Sequence, residues 1–422
     1  MTQPKRKKVV KKVTSQKNST GVHSTKKRVR RRIKKPVLYG FLAIVVLIVA
    51  LLTVPKTIQN NQLKELGYDK ATITEIRNQK LTNLIIKNKY YSENLASSIL
   101  NKSLNKDYIE LYTVADECAE REFVLYDRLL DNGYTKEQVL SLFDDLSFYA
   151  ITPLLVFDFQ TDLAPYIADA IANKDNISAT NFSLSNTYIE PYKTTYPTYN
   201  AGSYDMLVNK TYYLDSTYVP GSITDLSIQV ASEGLQLESV AADALNQLCD
   251  AGRNMGLRLY ASSAYRPYEH QQSLYDRYVA RDGIEEADTF SARPGFSEHQ
   301  TGLTVDMSAV GDGSGLSKFE ETDEFVWLSQ NCQEYGWILR YPSGKEQITG
   351  YTYEPWHYRY VGPDLAKKVV ASGLTYDEYY LLYLAPWKNT DGETKKNAPV
   401  ETAAPEETTP AAESPQPTAT TE

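Results

Sequence analysis

The sequence predicts an α+β domain built on a mainly antiparallel sheet and preceded by one transmembrane helix and an all-α segment. Three observations carry that reading. An uncharged apolar run fills residues 37–54. From residue 60 to about 174, apolar side chains recur at helical spacing, interrupted by Gly and capping residues. Beyond residue 206, long helical stretches alternate irregularly with short strands, unlike the regular alternation of a parallel α/β sheet.

The first element is a basic arm. Residues 1–36 hold 15 of the 45 Lys and Arg and no acid, so the remaining 30 basic residues meet all 53 acidic ones, a net charge of −23. Alone, such an arm would suggest nucleic acid. Beside an apolar run it sets topology and meets anionic lipid, so no nucleic-acid partner is expected. The 18 residues of 37–54 lie near the lower limit for a spanning helix. A cleaved signal peptide competes, but the basic region is too long and no clear small-x-small site follows. No cysteine directly follows the run to carry a lipid anchor. The positive-inside rule leaves residues 1–36 in the cytoplasm and everything after 54 outside, anchored once in the cytoplasmic membrane.

Residues 60–175 read as an extracellular helical segment. Gly67-Tyr68-Asp69 precedes Ile73 and Ile76, and Gly133-Tyr134-Thr135 precedes Val139 and Leu142 at the same offsets. In each, Gly closes one helix and the following Asp or Thr caps the next, with Thr135 and Gln138 forming a capping box. The segment is a spacer or a module that binds wall or partner. Three cysteines, Cys118, Cys249 and Cys332, are an odd number far apart, so buried thiols rather than a disulfide framework are expected. An exported chain without that framework fits a bacterial surface.

Residues 176–205 lose the helical pattern. Tyr188, Tyr192, Tyr196 and Tyr199 lie among Thr, Asn and Pro, giving a linker whose rings pack along a domain surface or stack on sugars. Residues 206–386 form the α+β domain. A helix over about 237–255 leads to a strand at 257–262. Pro267 opens a helix carrying Gln271, Leu274, Tyr275 and Tyr278 on one side. Leu303, Val305 and Met307 alternate with Thr304, Asp306 and Ser308 as a strand. A helix at 323–335, a strand at 337–340 and a helix over 364–383, capped by Thr375 and Glu378, complete it. Residues 387–422 are Thr, Pro, Glu and Ala, a disordered tail that cannot bury a core.

Two short stretches carry chemistry. The chain has only four histidines, and two stand beside carboxylates, in the run Ser297 to Asp306 and in Glu354-Pro355-Trp356-His357. His299, Asp306 and His357 offer two imidazoles and a carboxylate, a three-ligand set suited to a catalytic zinc with one open position. Glu354 stands where a general base is wanted. Gly302 permits the bend that brings His299 to Asp306. Glu354 and His357 would face opposite ways on a regular strand, so Pro355 implies a turn. By spacing, the His-x6-Asp pair also reads as a plain hydrogen-bonded pair. His270 reads as a solvated helix histidine, and His23 belongs to the arm.

These stretches match Ser-x-His-x-x-Gly-x-x-x-Asp and Glu-x-Trp-His, and so resemble the zinc D-Ala-D-Ala carboxypeptidases of VanY type. That family lies in the wider group of lysostaphin-type peptidases and the hedgehog fold. The resemblance extends over Leu207-Val208-Asn209-Lys210, Tyr218-Val219-Pro220, Ser263-Ala264-Tyr265-Arg266, Arg340-Tyr341-Pro342 and Tyr358-Arg359-Tyr360-Val361-Gly362, about residues 206–372. It implies that residues 206–386 are a zinc D,D-carboxypeptidase domain holding one Zn2+ per chain through His299, Asp306 and His357. It implies Glu354 as the catalytic base and Arg266, Gln271, Ser297 and Tyr341 as substrate contacts. For each of these four a structural role competes: an ion pair for Arg266, solvent for Gln271, a turn cap for Ser297 and core for Tyr341. The implied substrate is a peptidoglycan stem peptide at a bacterial cell membrane. L,D-carboxypeptidase activity on tetrapeptide stems, endopeptidase activity or non-catalytic wall binding are the alternatives.

Overall fold

The computed structural model describes residues 35–174, 190–309, 316–388 and 394–395. Most of the basic arm, with His23, Tyr188 and nearly all of the tail lie outside the described residues. Helix α1 (Lys35–Glu65) contains the expected apolar run but continues well past it. Its Leu42–Glu65 portion is long and apolar enough to cross a membrane, by length and composition only. Its last turn is not membrane-like, because Leu63 is fully buried in protein core.

That core is built by α2 (Lys70–Asn78), α3 (Thr82–Asn88) and α4 (Glu93–Asn101). Tyr68, Ile73, Ile76, Ile85, Leu95 and Ile99 pack around Leu63. Asp69 caps α2 by accepting from the Thr72 amide at 2.7 Å. The second repeat unit is α5 (Glu120–Asp131) and α6 (Lys136–Asp145), with Thr135 and Gln138 forming the expected capping box. With α7 (Phe148–Ile151) and α8 (Ala164–Ala172), these helices do not make a separate core. Leu125, Leu129, Val139, Leu142, Ile151 and Tyr166 share one hydrophobic cluster with Ile338, Ala366, Val369, Tyr376 and Leu382. Composition changes near residue 206, yet Leu207 belongs to this same cluster. Residues 190–205 lie along the domain as expected, with Tyr196–Pro197 paired to Tyr212–Tyr213 and the Tyr192 ring 4.9 Å from Phe296.

The sheet has four strands: β1 (Leu259–Ser263), β2 (Thr304–Ala309), β3 (Trp337–Leu339) and β4 (His357–Tyr360). Their spatial order is β1-β2-β4-β3, and every pairing is antiparallel. Helix α9 (Ser239–Asn254) covers one face through Ala241, Leu245 and Leu248, which meet Leu259, Val305 and Met307. Helices α10 (Tyr268–Asp282) and α11 (Ile284–Phe290) follow β1. Helix α12 (Asp323–Asn331) precedes β3, and α13 (Pro363–Ser372) and α14 (Tyr376–Tyr379) follow β4.

Three details depart from expectation. The C-terminal helix breaks at Gly373, in the left-handed region at φ +69°, and Thr375 caps a new helix. Two-residue strands, Trp387–Lys388 and Thr394–Lys395, pair within the stretch expected to lack structure. All three cysteines are free, but Cys118 is only half-buried.

Candidate active site

The sheet register does most of the positioning. Asp306 on β2 is directly opposite His357 on β4. Such cross-strand neighbours hold their Cβ atoms about 4.5–5.5 Å apart. His299 arrives from a single 3-10 turn, Glu298–Thr301, that ends on Gly302 at φ +68°. A Cβ on Gly302 would stand 2.9 Å from Pro220, so glycine is required for both conformation and space. The His357 amide donates to the Glu354 carbonyl at 3.2 Å, closing a turn over Pro355 and Trp356. Both side chains thereby face inward, and Glu354 Oε2 lies 3.3 Å from His357 Nδ1.

The ligand atoms of His299, Asp306 and His357 all lie within 4.8 Å of one another, and all three residues are buried. His299 Nε2 is 3.4 Å from Asp306 Oδ2, and His357 Nδ1 is 3.4 Å from Asp306 Oδ1. Metal–donor bonds of 2.0–2.2 Å at tetrahedral angles put neighbouring donors about 3.3 Å apart, so both His–Asp spacings fit one zinc. Among the described residues Asp306 Oδ1 is buried with no hydrogen-bond partner, and His357 Nδ1 approaches it only to 3.4 Å. An orphaned carboxylate oxygen of this kind suits a cation. The far side of each ring is also engaged. His299 Nδ1 lies 2.7 Å from the Ala264 carbonyl, and His357 Nε2 lies 3.4 Å from Glu298 Oε2.

Electrostatics agree with a cation site. Burial pushes the Glu354 carboxyl up, against the opposing pull of His357. For Asp306, burial is outweighed by His299 and His357, and its carboxyl is held well below the usual range. Burial holds the His299 imidazole down, partly opposed by Asp306. At His357, burial is outweighed by the carboxylates of Asp306, Glu298 and Glu354, which raise it well above the ordinary value. Three acids thus converge on one imidazole.

The ligands line a cleft of about 380 Å³ that is also lined by Arg266, Gln271, Ser297, Tyr341, Tyr351, Trp356 and Glu354. A larger groove of about 470 Å³, between Tyr204 and Tyr383, contains none of these groups, so volume alone does not locate the chemistry. Arg266 Nη1 donates to Gln271 Oε1 at 2.8 Å and Nη2 to Ser263 Oγ at 3.0 Å. Among the described residues it has no carboxylate ion pair. Gln271 does not face solvent. It is buried, and its Nε2 donates to the Ala292 carbonyl at 2.7 Å. Ser297 lines the cleft and also caps the 3-10 turn, accepting from the His299 amide at 3.3 Å. The Tyr341 ring packs at a tilt against both His357 and Tyr351, with centroids 4.7 Å apart in each pair. Behind Tyr351, the buried Lys210 ammonium lies 4.2 Å over the ring, and burial pushes it down to about 8. His270 is exposed.

The sequence assigned no role to Glu298, Tyr351 or Trp356, although Glu298 and Trp356 lie within the two chemistry-bearing stretches. Glu298 left one trace. Arg359 stands in a strand whose four residues are all buried, and a buried guanidinium requires an acid from elsewhere in the chain.

One open cleft thus brings together a buried His–Asp–His set, a neighbouring carboxylate and an arginine. Comparison with known proteins supplies the class. The family model described as D-alanyl-D-alanine carboxypeptidase, VanY, matches residues 234–363. YodJ of Bacillus subtilis (strain 168), a protein with a provisional carboxypeptidase name, is 37% identical over 219 residues, covering 50% of this chain and 80% of that one. The chain belongs to the VanY family of carboxypeptidases. The LdcB LD-carboxypeptidase shares 40% identity over 41% of this chain and 84% of its own, with a TM-score of 0.40. The D,D-pentapeptidase VanY, solved as a complex with Zn(II), shares 36% identity over 42% of this chain and 97% of its own, with a TM-score of 0.35. At these TM-scores the superpositions add nothing to the fold, which rests on the sheet and helices themselves.

Proposed function

We propose that this chain is a zinc-dependent D,D-carboxypeptidase that releases the C-terminal D-Ala of peptidoglycan stem peptides. One observation carries the reading: a zinc-sized ligand set, a carboxylate 3.3 Å from one ligand and an arginine that has no carboxylate partner among the described residues share one cleft. The VanY family's own description supports the D-Ala-D-Ala substrate.

Zinc held by His299, Asp306 and His357 would supply Lewis acidity toward the scissile carbonyl and acidify a nucleophilic water. Glu354 takes the proton of that water on its carboxylate and delivers it to the nitrogen of the leaving D-Ala. Burial favours this role by raising its proton affinity. Arg266 receives the terminal carboxylate. Gln271 and Ser263 hold two of its five N–H donors, fixing the fork and leaving others for the ligand. Gln271, Ser297 and Tyr341 border the same space as substrate contacts.

Residues 1–36 are a cytoplasmic arm, 37–54 a single membrane anchor, 60–175 an extracellular helical segment, 176–205 a linker and 206–386 the catalytic domain. Residues 387–422 are a tail. The protein thus works outside a bacterial cell membrane.

The test is to incubate the full chain with zinc and each of two stem peptides, one ending in D-Ala-D-Ala and one a residue shorter, and to weigh the products. Loss of one D-Ala from the longer stem is expected. Loss only from the shorter stem moves the assignment to an L,D-carboxypeptidase. Internal cleavage makes it an endopeptidase, and no cleavage leaves a wall-binding module.

A further inference from the structure

Glu298 is fully buried and receives two guanidinium groups on one oxygen, from Arg340 Nε at 2.8 Å and from Arg359 Nη1 at 2.9 Å. Its other oxygen faces His357 Nε2 at 3.4 Å. Neither arginine is free to turn away. Arg340 is clamped by Asp377 on α14, Nη1 to Oδ2 at 2.5 Å and Nη2 to Oδ1 at 3.1 Å, and Asn209 donates to the same Oδ1 at 2.8 Å. Arg359 also donates to the carbonyls of Met206 at 2.9 Å and Tyr360 at 3.1 Å. The result is a closed ionic network with one oxygen left over for the histidine.

We propose that Glu298 is a positioning residue that fixes which nitrogen of His357 carries the proton, and thereby which one can hold the metal. The inference rests on the zinc reading above. A carboxylate held between two guanidiniums only accepts hydrogen bonds, so the proton of a neutral His357 is drawn to Nε2. The lone pair is then on Nδ1, the atom that faces Asp306 Oδ1 and Glu354 Oε2. His299 receives the complementary instruction from a backbone carbonyl. The Ala264 oxygen accepts from Nδ1–H, and Nε2 faces Asp306. The two imidazoles therefore present different nitrogens to one point, each enforced by an acceptor on its far side. Outer partners of metal-binding histidines set tautomer and orientation in this way, and losing one costs roughly 10–100-fold in metal affinity.

Glu298→Gln separates this role from a packing role. The amide keeps the shape, and its oxygen goes to the two arginines, which need an acceptor. Its NH2 group then faces His357 Nε2 and asks that nitrogen to accept, which moves the imidazole proton onto Nδ1.

The experiment measures zinc affinity of wild type and Glu298→Gln by competition with a chelator. It also reads imidazole 15N shifts of the zinc-loaded wild type. Expected are zinc on Nδ1 of His357 with Nε2 protonated, and at least a tenfold weaker affinity in the variant. Affinity within threefold of wild type, in a variant that melts cooperatively, overturns the inference. If the variant does not fold, the wild-type spectrum decides alone, and zinc on Nε2 of His357 overturns it. A wild type that binds no zinc sinks the metal reading, and this inference with it, which is a different result from wild-type binding that Glu298→Gln leaves intact.

Discussion

Removing the side chain of Arg266 should separate recognition of a free C-terminus from the rest of catalysis. The guanidinium lies in the cleft with the zinc-ligand set and is already pinned through two of its N–H groups, so little rotamer entropy remains to be lost when substrate binds. A charge-assisted hydrogen bond of the kind it offers contributes about 1.5–3 kcal/mol. That corresponds to a loss of about tenfold to over a hundredfold in kcat/KM for Arg266→Ala. Arg266→Lys keeps the charge but not the fork, and should recover only part of it. The assay compares stem peptides with a free and an amidated C-terminus on wild type and variant. Amidation should cost wild type a similar factor, and the two losses should not add, because both remove one interaction. Zinc content should stay unchanged. Wild-type cleavage of amidated peptides as fast as free ones would refute the carboxylate role and point to an endopeptidase.

Other outcomes follow from the same geometry. Glu354→Gln should retain zinc while turnover falls by roughly 10²–10⁴-fold, because an amide cannot accept the water's proton, and an undiminished rate in a metal-replete sample would reassign the base. Lys210, whose folded pKa of about 8 is below the ordinary 10.5, should make folding more favourable as pH rises between those values, since the unfolded chain then holds the proton the folded chain has released. Against Lys210→Met, denaturant melts should therefore move in favour of wild type by on the order of 2 kcal/mol between pH 7 and 10, and a constant gap would contradict the buried-ammonium account. Protease added to intact cells should digest the catalytic domain, and its protection would reverse the topology.

The parts of the site that were readable from sequence are local ones. His299 and Asp306 are seven residues apart and Glu354 and His357 three, so their pattern survives without knowledge of the fold. Pro355 even signalled the turn that brings Glu354 and His357 inward. The positioning network is not local. Glu298 meets Arg340 and Arg359 across 42 and 61 residues, and no periodicity announces which acid a buried arginine will find.

Fold-level reading shows the same division. Caps at Asp69, Thr135 and Thr375 are encoded within four residues, and each forms as expected. The association of α5–α8 with the C-terminal helices is not. Thr152 Oγ1 donates to Glu378 at 2.8 Å, and Arg128 donates to the Leu382 carbonyl at 3.0 Å across 254 residues. An amphipathic face states that it will be covered but not by what. That packing also places the second half of the helical segment behind α14, whose Asp377 anchors Arg340, one of the two arginines on Glu298.

The most direct measurement is the zinc content of purified wild type and of His357→Ala, taken by elemental analysis together with the rate of D-Ala release. A metal centre built by His299, Asp306 and His357 requires one zinc per wild-type chain, and loss of both metal and activity in the variant. Full zinc content with full activity in His357→Ala would contradict it.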